Sequence, residues 1–311
     1  MKPIRIGTRG SKLALYQANQ VADLLNSAGL EYEIVIIDTK GDKILDVAIS
    51  KIGSKGVFTE ELESQLEDGK IDIAVHSAKD LPSILPEGFD IIAFTAREKV
   101  NDVIISHKRE WIDIKDPSKN LVLGTSATRR VATLLHHYPH IQTVEIRGNL
   151  QTRISKMENG ACDGLILAYA GVHRMGYEHL VKNELSLEEF IPAVGQGTIG
   201  VEAHVNLEKE IKNKIKAAVN SPETDQCLQA ERGFLKVLEG GCSIPAFALA
   251  QIKDQKLFLK GGLISLDGKE KLYHEVSGSP ELATSLGKEL AKNILSQGGD
   301  QILFDIKHKL N

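Results

Sequence analysis

The sequence predicts an α/β protein of two similar lobes followed by a small α+β domain. Through the first two thirds of the 311 residues, short apolar strands alternate with stretches of helical spacing, which is the pattern of α/β proteins. Within this region, residues 6–15 and 123–135 share one local pattern at low identity. From about residue 221 a helix, several strand-like segments and a further helix follow, which indicates a separate C-terminal domain.

The first lobe is predicted from one helix and a set of strands. Apolar residues recur at helical spacing from Leu13 to Leu25, which predicts a helix between the first two strands. Ser11 is its expected N-cap, and Gly29 is the residue expected to stop it. The strands, rich in β-branched residues, are predicted at 4–7, 32–38, 71–77 and 89–95.

The second lobe is predicted from a similar set of elements. In both lobes a strand runs through Gly-Thr into a helix start that bears hydroxyl groups and arginine, and an aspartate, Asp72 or Asp163, opens a later strand. Any α/β protein produces some similarity of this kind, but the order of features favours two lobes of one architecture. The strands of this lobe are predicted at 100–106, 121–126, 143–148 and 164–171.

The C-terminal domain is predicted to begin with a helix at 221–241 that ends at Gly240-Gly241. Three strands and a second helix are expected to follow, and residues 301–306 are expected to form a last short strand. The three strands are predicted at 246–252, 256–264 and 271–278, and the helix at 280–299.

Composition excludes several classes of function. The net charge of −4 argues against a general nucleic-acid binder, and the longest apolar stretch, 164–172, is far shorter than a membrane span. The N-terminus has no apolar leader. Cys162, Cys227 and Cys242 lie far apart with no CxxC pattern, so we expect neither disulfides nor a metal site. The sequence thus predicts a reduced, cytoplasmic protein without nucleic-acid or membrane partners.

Arginines stand at the junctions between predicted strands and helices, where an open α/β sheet presents its ligand-binding edge. Helix N-termini there offer unpaired N–H groups, and a guanidinium grips a carboxylate in a bidentate fork. In an acidic chain, such local positive charge predicts a cleft for a polyanion, without identifying which one. Neither GxxxxGK[ST] nor GxGxxG is present to indicate a nucleotide. The residues concerned are Arg9 with Ser11, Arg129 and Arg130 after Thr125 and Ser126, and Arg147, Arg153 and Arg174.

Asp80 follows Lys79 at the end of the strand predicted at 71–77. An aspartate in this position can simply cap its own turn. If Asp80 instead faces the anion-binding cleft, its carboxylate requires a cationic target. At about 4 Å and an effective dielectric of about 20, one such charge pair is worth about 4 kcal/mol. Asp80 is therefore a candidate for stabilising a cationic transition state.

Cys242 lies in a Gly-Gly-Cys segment that is expected to be a loop. A lone cysteine is more often a small buried apolar residue, and Cys162 and Cys227 fit that description. In a glycine-rich loop the sulfur is expected to be accessible, and no histidine and asparagine are placed as in a thiol protease. A covalent tether is the better functional interpretation of Cys242.

Six segments, in the family's order, give the chain its resemblance to the porphobilinogen deaminases (hydroxymethylbilane synthases). The resemblance runs from residue 4 to about residue 250. It implies two periplasmic-binding-protein-like lobes, with mixed sheets flanked by helices, and a third α+β domain that carries the cofactor cysteine. The segments are IGTRGSKLAL, VHSAKDLP, GTSATRR, IRGNLQTRISK, VGQGTIGVE and LEGGCSIP.

The resemblance also implies that the chain returns to its first lobe near VGQGTIGVE. We therefore expect a discontinuous domain 1 (residues 1–96 and 196–219), a domain 2 (97–195) and a domain 3 (220–311). The family's activity is that of a transferase in haem and porphyrin biosynthesis. Four porphobilinogen units condense stepwise, with loss of ammonia, onto a dipyrromethane cofactor held by Cys242 through a thioether, and hydrolysis releases linear hydroxymethylbilane. A cytoplasmic monomer is implied.

Residue roles follow from the matched motifs. Asp80 and Lys79 match the catalytic pair, and Asp80 is implied to hold pyrrole N–H groups and stabilise the developing cation. Besides Cys242, cofactor binding is implied for Lys79, Ser126, Arg129, Arg130 and Arg147. Substrate binding is implied for Arg9, Ser11, Arg147, Arg153 and Arg174, and for Lys51, Lys55 and Phe58 in a mobile loop over the site.

Two other functions compete with this interpretation. A bilobed, non-catalytic receptor for a polycarboxylate would also explain the lobes and the arginines, but it gives no task to Asp80 or Cys242. A nucleotide- or nucleic-acid-binding regulator is disfavoured by the net charge and by an aromatic content of only 5%, which leaves few rings for base stacking.

Overall fold

The computed structural model describes residues 2–39, 59–108, 113–240 and 243–310. Within these ranges the strands form two five-stranded sheets and one three-stranded sheet. None of the helices in these ranges is both long enough and apolar enough to cross a membrane. The predicted α/β class with a smaller C-terminal domain is confirmed.

The first sheet has the strand order β2-β1-β3-β10-β4. β1 is parallel to β2 and β3, whereas β10 is antiparallel to β3 and β4. The chain therefore leaves this sheet after β4 and returns to it through β10. The strands are β1 (Ile4–Arg9), β2 (Tyr32–Ile37), β3 (Ile73–Ser77), β4 (Phe89–Phe94) and β10 (Ile199–His204).

The second sheet has the order β7-β6-β8-β5-β9 and repeats the pairing pattern of the first. β6 is parallel to β7 and β8, and β5 is antiparallel to β8 and β9. β5 thus occupies the place that β10 occupies in the first sheet. The strands are β5 (Asp102–Ile105), β6 (Val122–Gly124), β7 (Gln142–Val144), β8 (Gly164–Ala168) and β9 (Val181–Glu184).

The two aspartates that suggested similar lobes occupy equivalent positions. The Oδ2 atom of Asp72 accepts a hydrogen bond from the backbone N–H of Arg5 at 2.8 Å. The Oδ2 atom of Asp163 accepts one from the backbone N–H of Val122, also at 2.8 Å. Each carboxylate joins the start of the third parallel strand to the first, so the local sequence similarity reflects a shared architecture.

Helices cover the two sheets. Ser11 caps the first helix as predicted, because its side chain accepts a hydrogen bond from the Ala14 N–H at 3.3 Å. Gly29, with φ of 75°, follows the end of this helix in a left-handed conformation, which glycine adopts without strain. The helices of the two lobes are α1 (Lys12–Ser27), α2 (Glu60–Glu67), α3 (Thr128–His137), α4 (Leu150–Glu158), α5 (Tyr169–Arg174) and α6 (Lys209–Val219).

The C-terminal part packs helices against a sheet of order β11-β12-β13. Its elements are α7 (Pro222–Val237), β11 (Ala246–Lys253), β12 (Lys256–Ile264), β13 (Lys271–Gly278), α8 (Ala283–Ile294) and α9 (Asp300–Leu310). The strand predicted at 301–306 is wrong, since these residues belong to α9. Ile302, Leu303 and Ile306 are buried, and this spacing places them on one helical face in the core.

Glu231, on α7, joins all three parts of the protein. Its carboxylate pairs with Arg97 at 2.5 Å and accepts hydrogen bonds from the Gly195 N–H at 2.9 Å and the Ala250 N–H at 2.8 Å. Arg97 and Gly195 lie on the two segments that connect the sheets, and Ala250 lies on β11. Both connections are therefore held against the C-terminal part.

Candidate active site

The candidate site is a pocket at the carboxyl ends of β1 and β3, where the lobe presents its sheet edge and the N-terminus of α1. This is the position at which open α/β sheets bind ligands. Arg9 ends β1, Ser11 caps α1, and Asp80 lies in the turn after β3. The lining residues are Arg9, Ser11, Leu13, Ala14, Gln17, Thr59, Val75, His76, Ser77 and Asp80.

Asp80 is placed by a short, well-anchored turn. Ala78–Asp80 form one 3₁₀ turn directly after β3, and the Ala78 N–H donates to the Thr198 carbonyl at 2.9 Å. Beyond the turn, Nη2 of Arg232 donates to the Pro82 carbonyl at 3.0 Å. Ala78 is buried whereas Asp80 is exposed, so the fixed backbone presents the Asp80 carboxylate to the pocket.

Gln17 and Ser77 form a hydrogen-bonded pair in the pocket wall. Nε2 of Gln17 donates to Oγ of Ser77 at 2.8 Å, and the Gln17 side chain is buried. Sequence reasoning did not select either residue. Ser77 precedes the selected Lys79 and Asp80 by only a few positions, but Gln17 lies on the apolar face of α1, where nothing local separates it from a core residue.

Lys79, Arg130 and Arg153 concentrate positive charge beside Asp80. Burial lowers the pKa of Lys79 to about 8, although Asp80 opposes the shift, and Arg130 lowers it further. Burial likewise lowers the pKa of Arg153 to about 10, and Arg130 adds to that effect. These mutual shifts mean that the cations are close and that Asp80 offsets only part of their positive charge.

Arg129 and Arg130 are buried at the start of α3 and share one carboxylate, that of Asp102 on β5. Their Nη2 atoms lie 2.8 Å from Oδ2 and Oδ1 of Asp102, respectively. Gln196 donates to the same Oδ1 at 2.9 Å. Burial alone would raise the pKa of Asp102, but Arg129 and Arg130 outweigh it and hold that pKa well below its usual range. No local sequence pattern indicated this acceptor.

The other predicted arginines differ in their surroundings. Arg174 is buried at the end of α5, and its Nε donates to Glu98 at 2.8 Å. Arg147 pairs with Glu145, and Nε of Arg153 donates to the Gly148 carbonyl at 2.7 Å. Hence the structure brings Arg153 and Arg130 towards Lys79 and Asp80, whereas it shows Arg174 bound at the connection between the lobes.

Ser126 lies at the end of β6, partly exposed and next to the N-terminus of α3. The N-cap of α3 is Ala127, whose side chain makes no capping hydrogen bond. Thr125 compensates in part, because its Oγ1 accepts a hydrogen bond from the Ala127 N–H at 3.3 Å. The backbone N–H groups of this turn and the hydroxyl of Ser126 are suited to an anion.

Four of the predicted site residues, Lys51, Lys55, Phe58 and Cys242, lie outside the described residues. Cys162 and Cys227 are buried, as expected for small apolar residues. Burial raises the pKa of Cys227 to about 12, so its sulfur is a thiol with little thiolate character at neutral pH.

The cation cluster suits a ligand with several carboxylates. The Nε atom of Arg130 is buried and has no hydrogen-bond partner among the described residues. Lys79 and Arg153 both bind their protons less tightly because of burial and neighbouring cations. A carboxylate placed among them would supply an acceptor and compensate the charge. The residues present therefore fit a dipyrromethane, each pyrrole of which carries two carboxylates.

Comparisons with known proteins agree over the length of the chain. The model of a porphobilinogen deaminase domain described as binding the dipyrromethane cofactor matches residues 4–212, and that of the porphobilinogen deaminase C-terminal domain matches residues 225–296. A porphobilinogen deaminase of Cytophaga hutchinsonii is 57% identical over 310 residues, which cover 100% of this chain and 99% of the relative. One of Desulfosudis oleivorans is 54% identical over 304 residues, 98% of each chain.

Among solved structures, this chain is similar to a periplasmic binding protein of Salmonella typhimurium described for its high arginine specificity. The two are 14% identical, and the match covers 70% of this chain and 92% of that chain with a TM-score of 0.41.

Proposed function

The chain belongs to the porphobilinogen deaminase family, and from this premise we propose that its pocket condenses porphobilinogen, with Asp80 as the catalytic carboxylate. The observation that carries the proposal is one exposed acid, Asp80, beside the cations Lys79, Arg130 and Arg153, where the buried Nε of Arg130 has no hydrogen-bond partner among the described residues. The cations suit the carboxylates of the pyrroles. The acid suits a reaction that passes through a cation.

Asp80 acts through its charge and its accepting oxygens. Its carboxylate accepts hydrogen bonds from pyrrole N–H groups and stabilises the positive charge that develops as ammonia leaves. The anchored turn Ala78–Asp80 holds the oxygens in place before the substrate arrives, so little reorganisation is needed during reaction. The dipyrromethane, when bound through Cys242, supplies the pyrrole carbon on which the chain is extended. Ser126, Arg130 and Arg147 would hold its carboxylates together with Lys79.

The remaining residues have supporting roles in this proposal. Arg9, Ser11, Arg147, Arg153 and Arg174 bind acetate and propionate groups of the substrate. By resemblance to the family, Lys51, Lys55 and Phe58 also bind the substrate, with Phe58 against a pyrrole ring. Arg129 belongs to the cofactor-binding set, and its observed contacts to Asp102 and to the Ile191 carbonyl at 2.8 Å fix the position of its neighbour Arg130.

We further propose the domain limits 1–96 with 196–219, 97–195 and 220–311. The return of β10 to the first sheet and the separate sheet β11-β12-β13 support these limits. The enzyme is proposed to work as a cytoplasmic monomer whose partner is porphobilinogen alone.

The first test is the intact mass of the purified protein beside its Cys242→Ala variant. We expect the wild-type chain to exceed its sequence mass by two linked pyrrole units and the variant to match its sequence mass. Porphobilinogen should be consumed only by the protein that carries the added mass. An unmodified wild-type chain that stays unmodified and inactive after incubation with porphobilinogen would contradict the proposal.

A further inference from the structure

Behind the pocket, the structure buries three titratable side chains that the proposed mechanism does not use. They are Glu63 on α2, His76 on β3 and Glu202 on β10. All three are buried, and His76 also lines the pocket beside Ser77 and Asp80. The imidazole therefore lies between a buried acidic pair and the space that substrate enters.

Strand pairing explains how His76 and Glu202 meet. His76 is paired with Gly200 across the antiparallel β3–β10 ladder, and Glu202 lies two residues further along β10. Residues two apart on a strand point to the same face, so Glu202 is the diagonal neighbour of His76. Nε2 of His76 lies 2.9 Å from Oε2 of Glu202, with side-chain exposures of 5% and 0%.

This contact bears on the tautomer of the His76 ring. A carboxylate beside Nε2 favours the neutral tautomer with its proton on that nitrogen, in which Nδ1 is the accepting atom. Among the described residues, neither Nε2 of His76 nor either carboxylate oxygen of Glu202 has a well-aligned hydrogen-bond partner, and the two groups are in close polar contact at 2.9 Å.

Other charged groups surround the pair. Glu63 faces it from α2, and burial raises the pKa of Glu63, with Glu202 adding to the rise. Arg232, on α7, lies near Glu202. Burial lowers the pKa of Arg232 to about 10, and the charge of Glu202 opposes that shift. Asp80 and Arg9 line the same pocket. Glu202 and His76 are thus one carboxylate–imidazole pair among charges of both signs.

The condensation needs a group of this kind. When each pyrrole is added, the C–N bond of its protonated aminomethyl group breaks and ammonia leaves with the electron pair. A C–C bond forms to the α-carbon of the pyrrole already bound. That carbon must then lose its hydrogen as a proton, while the C–H electrons return to the ring. A general base is most effective when its pKa lies near the working pH.

We propose that His76, supported by Glu202, is the base that accepts this proton at Nδ1; the proposal rests on the proposed function of the pocket. The imidazolium then passes the proton to ammonia, so that each cycle releases ammonium and restores the neutral ring. Lys79 is mostly protonated at neutral pH, because burial lowers its pKa only to about 8.

The test compares His76→Asn and Glu202→Gln with a matched control, His204→Asn. His204 lies on the same strand as Glu202, is partly exposed and packs against Phe89 outside the pocket. Each protein is incubated with porphobilinogen until its mass shows the full primer, and its folding is checked by urea denaturation. Turnover is then measured with ordinary porphobilinogen and with porphobilinogen deuterated at the free α-carbon.

We expect His76→Asn to lower kcat about 100-fold, a typical loss for a general base, with little change in KM. Loss of the α-hydrogen should become rate-limiting, so a deuterium isotope effect should appear in this variant. Glu202→Gln should show the same effect with a smaller loss, whereas His204→Asn should behave as wild type.

A folded His76→Asn protein with normal kcat, or with lowered kcat and no isotope effect, overturns the proposal. If that variant does not fold, a Glu202→Gln protein without an isotope effect overturns it equally. A wild-type chain that neither carries a primer nor consumes porphobilinogen refutes the proposed function itself, and that result is separate from a failure of His76 alone.

Discussion

Replacing Asp102 with asparagine tests how much of the site is held by one carboxylate. The change is nearly isosteric, but it leaves the buried guanidinium groups of Arg129 and Arg130 without their shared counter-charge at 2.8 Å. Removing one partner of a buried ion pair costs about 3–5 kcal/mol, because an uncompensated charge remains in the interior. We therefore expect the free energy of unfolding at neutral pH to fall by about 3–5 kcal/mol.

The assay is urea denaturation followed by circular dichroism, with Asp72→Asn as the matched control. Asp72 also pairs with an arginine, Arg5 at 2.7 Å, but its side chain and that of Arg5 are 21% and 36% exposed. An exposed pair contributes about 0–1 kcal/mol, so the control should lose much less stability. Equal losses in the two variants, or a loss below about 1 kcal/mol for Asp102→Asn, would refute the reasoning.

The pH dependence of the difference in unfolding free energy between wild type and Asp102→Asn gives a second check. The pKa of Asp102 in the folded protein lies well below that of the unfolded chain, because Arg129 and Arg130 outweigh the effect of burial. The stability that Asp102 contributes is therefore fully present above the unfolded pKa and is lost as the pH falls through the folded one. We expect the gap between wild type and Asp102→Asn to be constant near neutrality and to narrow only below about pH 4.

Two further predictions concern the pocket. Asp80→Ala should retain the primer by mass but lose at least about 100-fold in kcat, since both the charge and the accepting oxygens beside a cationic transition state are removed. Near-normal turnover would exclude a catalytic role. Lys79→Gln, made in the primer-free Cys242→Ala background, should raise the melting temperature near neutrality. Burial lowers the pKa of Lys79 to about 8, so the gain in melting temperature should shrink above about pH 8, where the lysine side chain loses its proton. A gain that grows with pH would contradict this assignment.

The sequence predicted most strands and the similarity of the two lobes because these depend on local patterns. Ser11 and Gly29 were identified as helix boundaries for the same reason, since capping acts over a few residues. The error at 301–306 shows the limit of such reasoning. A short apolar segment fits a strand or a helix, and packing of Ile302 and Ile306 into the core decided for the helix.

For the site, the sequence selected charged residues but not the groups that hold them. Arg130, on helix α3, was selected, yet its partner Asp102 lies on β5, 28 residues away, with no local signal of the pairing. Glu202 is a similar case, because it reaches His76 only through the antiparallel pairing of β10 with β3. Contacts made across a sheet depend on topology, and topology is the part of a fold that local patterns specify least.

The position of β10 in the first sheet also determines which lobe can be completed first during synthesis of the chain. Residues 199–204 fill the gap between β3 and β4, so this sheet lacks an inner strand until the chain has grown past them. By then β5 to β9, within residues 102–184, have already been made. Domains fold as units while the chain emerges from the ribosome, and an unpaired strand edge such as that of β3 is prone to aggregation. The lobe that begins the chain is thus not the lobe that is completed first.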